Sequence, residues 1–133
     1  ILAITKDFEI GIDIENIHKN ISFYKKIVKR VLSVSELYQY YQLDEKDKIA
    51  RFFTIWTAKE AICKAQGCGL SNNLQYISLK FDSDKQISIH KLPNNFLAIN
   101  NYYFYNFQIS NDYLSAITVI TKKLKMNINH YYI

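Results

Sequence analysis

A long apolar helix that carries one carboxylate constrains the fold of this chain more than any other feature. Projected at about 100° per residue, residues 49–67 place Glu60 and Lys64 on a largely apolar side of a helix. That side also holds Ile49, Phe53, Trp56, Cys63 and Gly67. An ionised carboxylate is stable in such surroundings only when it is paired, hydrogen-bonded or bound to a metal. The sequence therefore predicts that Glu60 meets a partner from another part of the chain.

The best candidates for that partner lie on a strand near the start of the chain. Residues 8–15 alternate in character, so Asp13 and Glu15 share one face with Gly11. Their α-carbons would be about 6.6 Å apart, which lets both carboxylates reach one hard cation. Taken alone, such a pair is more typical of the solvent-facing side of an antiparallel sheet. Together with Glu60, the pair indicates a shared Mg²⁺ bound by Asp13, Glu15 and Glu60.

The order of predicted elements indicates an α+β fold in which an antiparallel sheet packs against a long helix. Residues 1–5 and 8–15 are predicted to form a hairpin. Three helices follow, at residues 22–32, 33–43 and 45–66. The second begins with a capping box that pairs Ser33 with Glu36, and the third is capped by Asp44. Further strands are predicted at residues 76–82, 86–91, 102–110 and 113–121.

The length and composition are typical of a single domain, and we expect it to have no membrane anchor. A chain of 133 residues and 15.7 kDa fits a single domain, to which we assign residues 1–133. The sequence contains no apolar run as long as a membrane span and no secretory leader. We therefore expect a soluble, cytoplasmic protein without a membrane partner. Cys63 and Cys68 form neither a C-x-x-C pair nor a disulfide framework.

The formal net charge of +5 favours an anionic partner such as a nucleotide, a nucleic acid or an acidic protein. The chain is also rich in Ile, Asn, Lys and Tyr, a bias that A/T-rich codons produce without any selection for binding. The charge alone therefore does not select a partner. His18, His90 and His130 are scattered without the spacing of a zinc site, and we assign them no chemistry.

Two motifs carry a resemblance to a known enzyme family. Residues 11–15 read Gly-Ile-Asp-Ile-Glu, and residues 56–64 read Trp-Thr-Ala-Lys-Glu-Ala-Ile-Cys-Lys, followed by Gly67, Gly69 and Leu70. Together they resemble the 4′-phosphopantetheinyl transferases, enzymes that move phosphopantetheine from coenzyme A onto a serine of an apo carrier protein. The tryptophan and the D-x-E pattern favour the surfactin-synthetase (Sfp) type over the small holo-acyl-carrier-protein synthases. The resemblance thus implies that residues 1–133 are the second half of a two-half enzyme.

The resemblance also implies a role for each charged residue of the two motifs. Asp13, Glu15 and Glu60 would ligate Mg²⁺, which also binds the pyrophosphate of coenzyme A. Glu60 would be the catalytic base for the carrier serine. Lys64 would bind the phosphate of coenzyme A and stabilise the departing 3′,5′-ADP, and Lys59 would be a further contact to a phosphate.

The partner that the resemblance implies is an apo acyl or peptidyl carrier protein, which is typically acidic, and not a nucleic acid or a membrane. A basic run on the first predicted helix could steer this partner. The run consists of Lys25, Lys26, Lys29 and Arg30. Sfp-type enzymes hold coenzyme A between two halves, whereas the small synthases trimerise and build the cleft between subunits. The chain could therefore be part of a two-half enzyme, a self-associating single-half enzyme, or a relic with little turnover.

Two other functions fit parts of the pattern. A metal-dependent nuclease also combines acidic residues and a lysine around Mg²⁺, although its usual Glu-x-Lys motif lies on a strand rather than on a helix. A non-enzymatic interaction domain would use the same acids only in ion pairs with Lys59 or Lys64. Stabilisation by Mg²⁺ and coenzyme A together would separate a binding protein from such a domain.

Overall fold

The chain builds its interior around one long helix. The computed structural model describes residues 2–18, 21–68, 74–81 and 87–122. Its strands are β1 (Glu9–Asn16), β2 (Ser78–Phe81), β3 (Ile87–Lys91), β4 (Tyr102–Ser110) and β5 (Tyr113–Ile120). Its helices are α1 (Ile21–Val31), α2 (Val34–Tyr41) and α3 (Glu45–Gln66).

The strands form two antiparallel sheets. The larger sheet has the order β1–β5–β4, and Asp13 of β1 pairs with Ala116 of β5. The smaller sheet pairs β2 with β3. α3 packs against β1 and β5 of the larger sheet. The predicted α+β fold, with an antiparallel sheet against a long helix, is confirmed.

The predicted hairpin at the start of the chain is wrong. Residues 2–5 form no strand, and Leu2 and Ile4 are 79% and 83% exposed. Residue 1, which the prediction included, lies outside the described residues. β1 pairs instead with β5, which is distant in sequence. Alternating side chains identify a strand, but they do not identify which strand will pair with it.

α3 begins after Asp44 and ends at Gly67, as predicted, but the Asp44 side chain makes no capping hydrogen bond. Gly67 has a φ of 73°, a left-handed conformation that glycine adopts without steric cost. The sequence predicted that this helix is buried along one apolar side. Burial extends further around the helix than predicted, because every residue from 57 to 63 is buried. The larger sheet packs against α3, and α1 and α2 also contact it. Polar side chains in this stretch must therefore find partners inside the protein.

The two shorter helices follow their local sequence signals. α2 begins with the predicted capping box, in which the Ser33 hydroxyl accepts from the backbone of Glu36 and the Glu36 carboxylate accepts from the backbone of Ser33. α1 exposes its basic run, which consists of Lys25, Lys26, Lys29 and Arg30. Within the described ranges, no helix has both the length and the apolarity that a membrane span requires.

The larger sheet has an inner face against α3 and an outer face. Gly11, Asp13 and Glu15 of β1 lie on the inner face. Residues that alternate with these lie on the other side, and we define the outer sheet face by Ile10, Ile12, Ile14, Tyr103, Tyr105, Phe107 and Ile117. These apolar side chains are at least partly exposed and stand outside the main core cluster. The acidic side of β1 is therefore the one packed in the interior.

Candidate active site

Gly11 allows β1 to lie against the backbone of α3. A β-carbon at this position would overlap the carbonyl oxygen of Ala61 and the amide nitrogen of Ala65, and it would be 2.9 Å from Cβ of Lys64. A larger residue would push the two elements apart, because interiors are already close-packed. The close approach brings the two acids of β1 next to the polar residues of α3.

Asp13 is held by Lys64 through only one of its oxygens. The Lys64 ammonium donates to Asp13 Oδ1 at 2.7 Å and to the carbonyl oxygen of Ile12 at 3.1 Å. Asp13 is buried, and its Oδ2 has no hydrogen-bond partner among the described residues. Burial raises the pKa of the Asp13 carboxyl above its ordinary value, and Lys64 partly offsets this increase. The unpaired oxygen can accept a further donor or bind a cation.

Glu15 accepts a hydrogen bond from Trp56, whose indole Nε1 donates to Glu15 Oε1 at 3.1 Å. The indole ring packs against Phe52, which is fully buried, and edge-on against Phe23. Trp56 therefore orients Glu15 as well as packing the helix. The spacing held a signal for this second role, since Trp56 lies one helical turn before Glu60.

Glu60 lies in the interior opposite the acids of β1. It is 4% exposed, and its Oε1 is buried with no hydrogen-bond partner in the described part of the chain. Burial raises the pKa of its carboxyl, and the charge of Asp13 raises it further. Lys64 lowers this pKa, and Glu15 raises it. Because such influences weaken with distance, the three acids and Lys64 form one electrostatic group.

Two buried carboxylate oxygens of this group have no hydrogen-bond partner among the described residues. They are Asp13 Oδ2 and Glu60 Oε1, and two such oxygens fit a bound divalent cation. In the present arrangement, the described ranges contain no cluster of three His, Cys, Asp or Glu side chains that could hold a metal ion. The Lys64 ammonium instead donates a hydrogen bond to Asp13, and the Trp56 indole donates one to Glu15. The donor set therefore suits Mg²⁺ chemically, but the side chains must reorient to bind it.

Lys59 lies on a different side of α3 and does not join this group. Its ammonium donates to Glu36 Oε2 at 2.6 Å and to the carbonyl oxygen of Val31 at 2.7 Å. The role predicted for Lys59 as a contact to a phosphate of coenzyme A does not fit this position. A side chain with 0% exposure that is bound to a buried carboxylate cannot reach a ligand from solvent. Lys59 and Glu60 separate because successive side chains on a helix diverge by about 100°.

The end of the second motif and the cavities add little to the site. Gly69 and Leu70 lie outside the described residues, so the structure places only Gly67 of that group. A cavity of about 380 Å³ is lined by Phe8, Glu9, Leu97, Asn101, Ile120, Thr121 and Lys122. None of the candidate site residues lines it, so the candidate site is the contact between β1 and α3.

Known proteins with similar sequences belong to one enzyme family. The family model of the 4′-phosphopantetheinyl transferase superfamily matches residues 9–118. The 4′-phosphopantetheinyl transferase Sfp of Bacillus subtilis is 38% identical over 85 residues, which are 64% of this chain and 36% of that protein. The holo-[acyl-carrier-protein] synthase of the same species is 35% identical over 81 residues, which are 59% of this chain and 67% of that protein. The match spans only 36% of Sfp and 31% of a putative 4′-phosphopantetheinyl transferase of Synechocystis, which is 32% identical over 77 residues.

Solved structures agree at the level of the fold. The holo-(acyl-carrier-protein) synthase of Bacillus anthracis, solved in complex with CoA (3′,5′-ADP), superimposes with a TM-score of 0.70 at 20% identity. The match covers 85% of this chain and 96% of that structure. The resemblance that the two motifs carry is thus confirmed by the family match and by the shared fold. The chain belongs to the 4′-phosphopantetheinyl transferase superfamily.

Proposed function

We propose that this chain transfers 4′-phosphopantetheine from coenzyme A to a serine of an apo carrier protein, with Mg²⁺ as its cofactor. The observation that carries the proposal is the group that Asp13 and Glu15 on β1 form with Glu60 and Lys64 on α3. Its relatives include proteins named holo-[acyl-carrier-protein] synthase and 4′-phosphopantetheinyl transferase. Coenzyme A is therefore the expected donor, and an acyl or peptidyl carrier protein the expected acceptor.

The proposed reaction breaks the phosphoanhydride bond of the coenzyme A pyrophosphate and forms a phosphate ester bond to serine. The serine Oγ bonds to the β-phosphorus of coenzyme A while the bond from that phosphorus to the bridging oxygen breaks. The products are the phosphopantetheinyl serine and 3′,5′-ADP, and the serine proton passes to a base. Reactions of this kind require positioning and charge neutralisation more than covalent catalysis.

Glu60 is the proposed base. Without metal, burial and the charge of Asp13 raise the pKa of its carboxyl. Its buried Oε1 has no hydrogen-bond partner among the described residues that would compete for the serine proton. Glu60 would share the binding of Mg²⁺ with Asp13 and Glu15 after the side chains reorient. When bound, Mg²⁺ supplies neutralisation of the pyrophosphate charge.

Lys64 is the proposed contact to the leaving group. Its side chain is 47% exposed, in contrast to the buried Asp13 that it contacts. An ammonium that water reaches can exchange one anionic partner for another at small cost. We therefore expect Lys64 to leave Asp13 and to bind the phosphate that departs with 3′,5′-ADP.

A second structural unit is expected to complete the coenzyme A site. The residues that define the outer sheet face are apolar or aromatic, although Ser115 lies among them between Ile14 and Phe107. Contiguous apolar patches on proteins commonly mark interaction surfaces. The occupant of this face would be either the first half of a two-half enzyme or another copy of this chain. Light scattering after size-exclusion chromatography separates these two arrangements, because only the second makes the isolated chain associate with itself.

The carrier protein is expected to approach α1. The basic run of α1 is exposed, and an acidic carrier would be attracted to it over a distance of about 10 Å at moderate salt. Lys26→Glu should therefore slow association with the carrier, and the difference from wild type should shrink as salt is added. Equal association rates of the two proteins at low salt would mean that the basic run is only a solvated surface and does not attract the carrier.

Mass spectrometry of an apo carrier protein tests the proposed reaction. Incubation with the chain, coenzyme A and Mg²⁺ should add the mass of phosphopantetheine to the carrier. The gain should disappear with EDTA, with a carrier that lacks its serine, and with Glu60→Gln. Glu45→Gln is the matched control, because Glu45 is an exposed acid at the start of the same helix. If the carrier gained no mass even when the chain was joined by the second structural unit that completes its coenzyme A site, the proposal would be overturned.

A further inference from the structure

A second lysine–carboxylate pair lies inside the protein, apart from the candidate active site. The side chains of Lys59 and Glu36 are 0% and 1% exposed, and their charged atoms are 2.6 Å apart. The Lys59 ammonium also donates to the carbonyl oxygen of Val31. The Glu36 carboxylate also accepts from the backbone N–H groups of Ser33 at 2.7 Å and Leu79 at 2.8 Å. The pair thus joins α3 to the end of α1, the start of α2 and strand β2.

Stability alone does not account for charges in this position. Removing two charges from water costs free energy that their attraction often fails to return, and an apolar pair of similar volume is commonly as stable. A complete buried network does fix geometry, because hydrogen bonds are directional whereas apolar contacts are not. The partners of this network are mainly backbone groups, so it fixes the positions of whole elements.

α3 requires such a fixed point. Every residue from 57 to 63 is buried, and the apolar contacts among them are not directional. The hydrogen bonds of Lys59 therefore add to the close contact at Gly11 in selecting one rotation of the helix. Glu60 follows Lys59 directly, and a rotation of α3 that displaced Lys59 would also turn Glu60 away from β1. We infer that Lys59 and Glu36 are positioning residues that set the orientation of Glu60 and Lys64 toward Asp13, an inference that rests on the proposed function.

The double variant Lys59→Met/Glu36→Gln tests this inference. It replaces the ion pair by neutral side chains of similar length, and glutamine at position 36 can still complete the capping box. The matched control is Lys48→Met/Glu45→Gln. This control makes the same chemical change in an ion pair at the start of the same helix, where the two side chains are 16% and 79% exposed.

The indole signal of Trp56 reports the contact between α3 and β1 without requiring activity. Trp56 is the single tryptophan of the chain, and its N–H donates to Glu15 on β1. We expect the folded double variant to shift this signal in a ¹H–¹⁵N spectrum. We also expect kcat for carrier modification to fall about tenfold or more while KM for coenzyme A changes less than about threefold, because small misplacements of reacting groups act on the chemical step. The control variant should change neither.

A folded double variant with the wild-type indole signal would overturn the inference. If the double variant does not fold, the indole signal of Trp56 is measured in Glu36→Asp instead. This variant keeps both charges but shortens the carboxylate side chain by one methylene, and a wild-type signal would again overturn the inference. Failure of the proposed function is recognised separately. In that case the wild-type chain modifies no carrier, and the indole signal alone decides whether Lys59 and Glu36 position Glu60.

Discussion

The two lysine–carboxylate pairs of α3 differ in how completely their polar atoms are satisfied. The Glu36 carboxylate accepts from Lys59 and from two backbone N–H groups, and the pair is closed to solvent. In the other pair, Lys64 is 47% exposed, and Asp13 keeps one oxygen without a partner among the described residues. A complete buried network stabilises one geometry, whereas an incomplete one with shifted pKa values is suited to binding a ligand.

The largest effect that tests this contrast is on stability. Lys59→Met should lower the free energy of unfolding by about 3–5 kcal/mol, because it leaves the charge of Glu36 buried without a counter-ion. Lys64→Met should lower it by less, because the Asp13 carboxyl that it leaves behind is slightly exposed and has a pKa already raised by burial, so it can take up a proton instead. Urea denaturation of both variants measures the difference. Equal losses would break the distinction between a structural pair and a site pair.

Glu60→Gln should separate activity from stability. We expect the rate of carrier modification to fall about 100-fold or more, because a general base contributes at least this factor. The free energy of unfolding should stay the same or rise, since the substitution removes a charge that burial and Asp13 disfavour. Single-turnover mass spectrometry and urea denaturation measure the two quantities. A wild-type rate in this variant would remove Glu60 from the proposed mechanism.

Local signals in the sequence located the residues around the Asp13–Lys64 pair. Asp13 and Glu15 alternate on a strand, Glu60 and Lys64 are one turn apart on a helix, and these short-range patterns are properties of each element alone. The capping box was equally local, and it correctly located the start of α2. Patterns that depend only on neighbours in sequence were sufficient at these positions, although the strand predicted at residues 1–5 is absent from residues 2–5.

The sequence predicted one contact between distant segments, that of Glu60 with the acids of β1, but it missed others. Glu36 was identified as a cap, but nothing near it in sequence shows that its carboxylate also accepts from Lys59 and Leu79. The same limit applies to β1, whose partner β5 begins at Tyr113. Such contacts depend on how the whole chain packs, which the periodicity of one segment does not encode.

Mg²⁺ should stabilise the protein through the acids around the Asp13–Lys64 pair and not through the Lys59–Glu36 pair. Saturation at about a hundredfold excess over Kd should stabilise the wild-type protein by about 2.7 kcal/mol, because the ion binds the folded state. Asp13→Asn should lose this stabilisation, and Glu45→Gln should keep it. The melting temperature with Mg²⁺ or with EDTA measures the effect, and coenzyme A should add to it. An equal response of Asp13→Asn and wild type would place the ion elsewhere.

The smallest expected effect is on the pH dependence of stability without metal. Burial raises the pKa values of Asp13 and Glu60 above their ordinary values of 3.8 and 4.5. A carboxyl whose pKa is raised on folding binds its proton more tightly in the folded state. Its contribution to stability is fully present below the ordinary pKa and is lost as pH rises through the raised pKa.

Metal-free wild type should therefore lose stability relative to Glu60→Gln as pH rises above 4.5, because only the wild type retains the Glu60 carboxyl. Melting temperatures of both proteins across that range measure the difference. Saturating Mg²⁺ should reduce it, since a bound cation favours the ionised carboxylate. Parallel curves without metal would mean that Glu60 titrates alike in the folded and unfolded states. Burial would then add no free-energy cost to ionising the acids of β1 and α3. These acids would differ from the Lys59–Glu36 pair only in their solvent exposure.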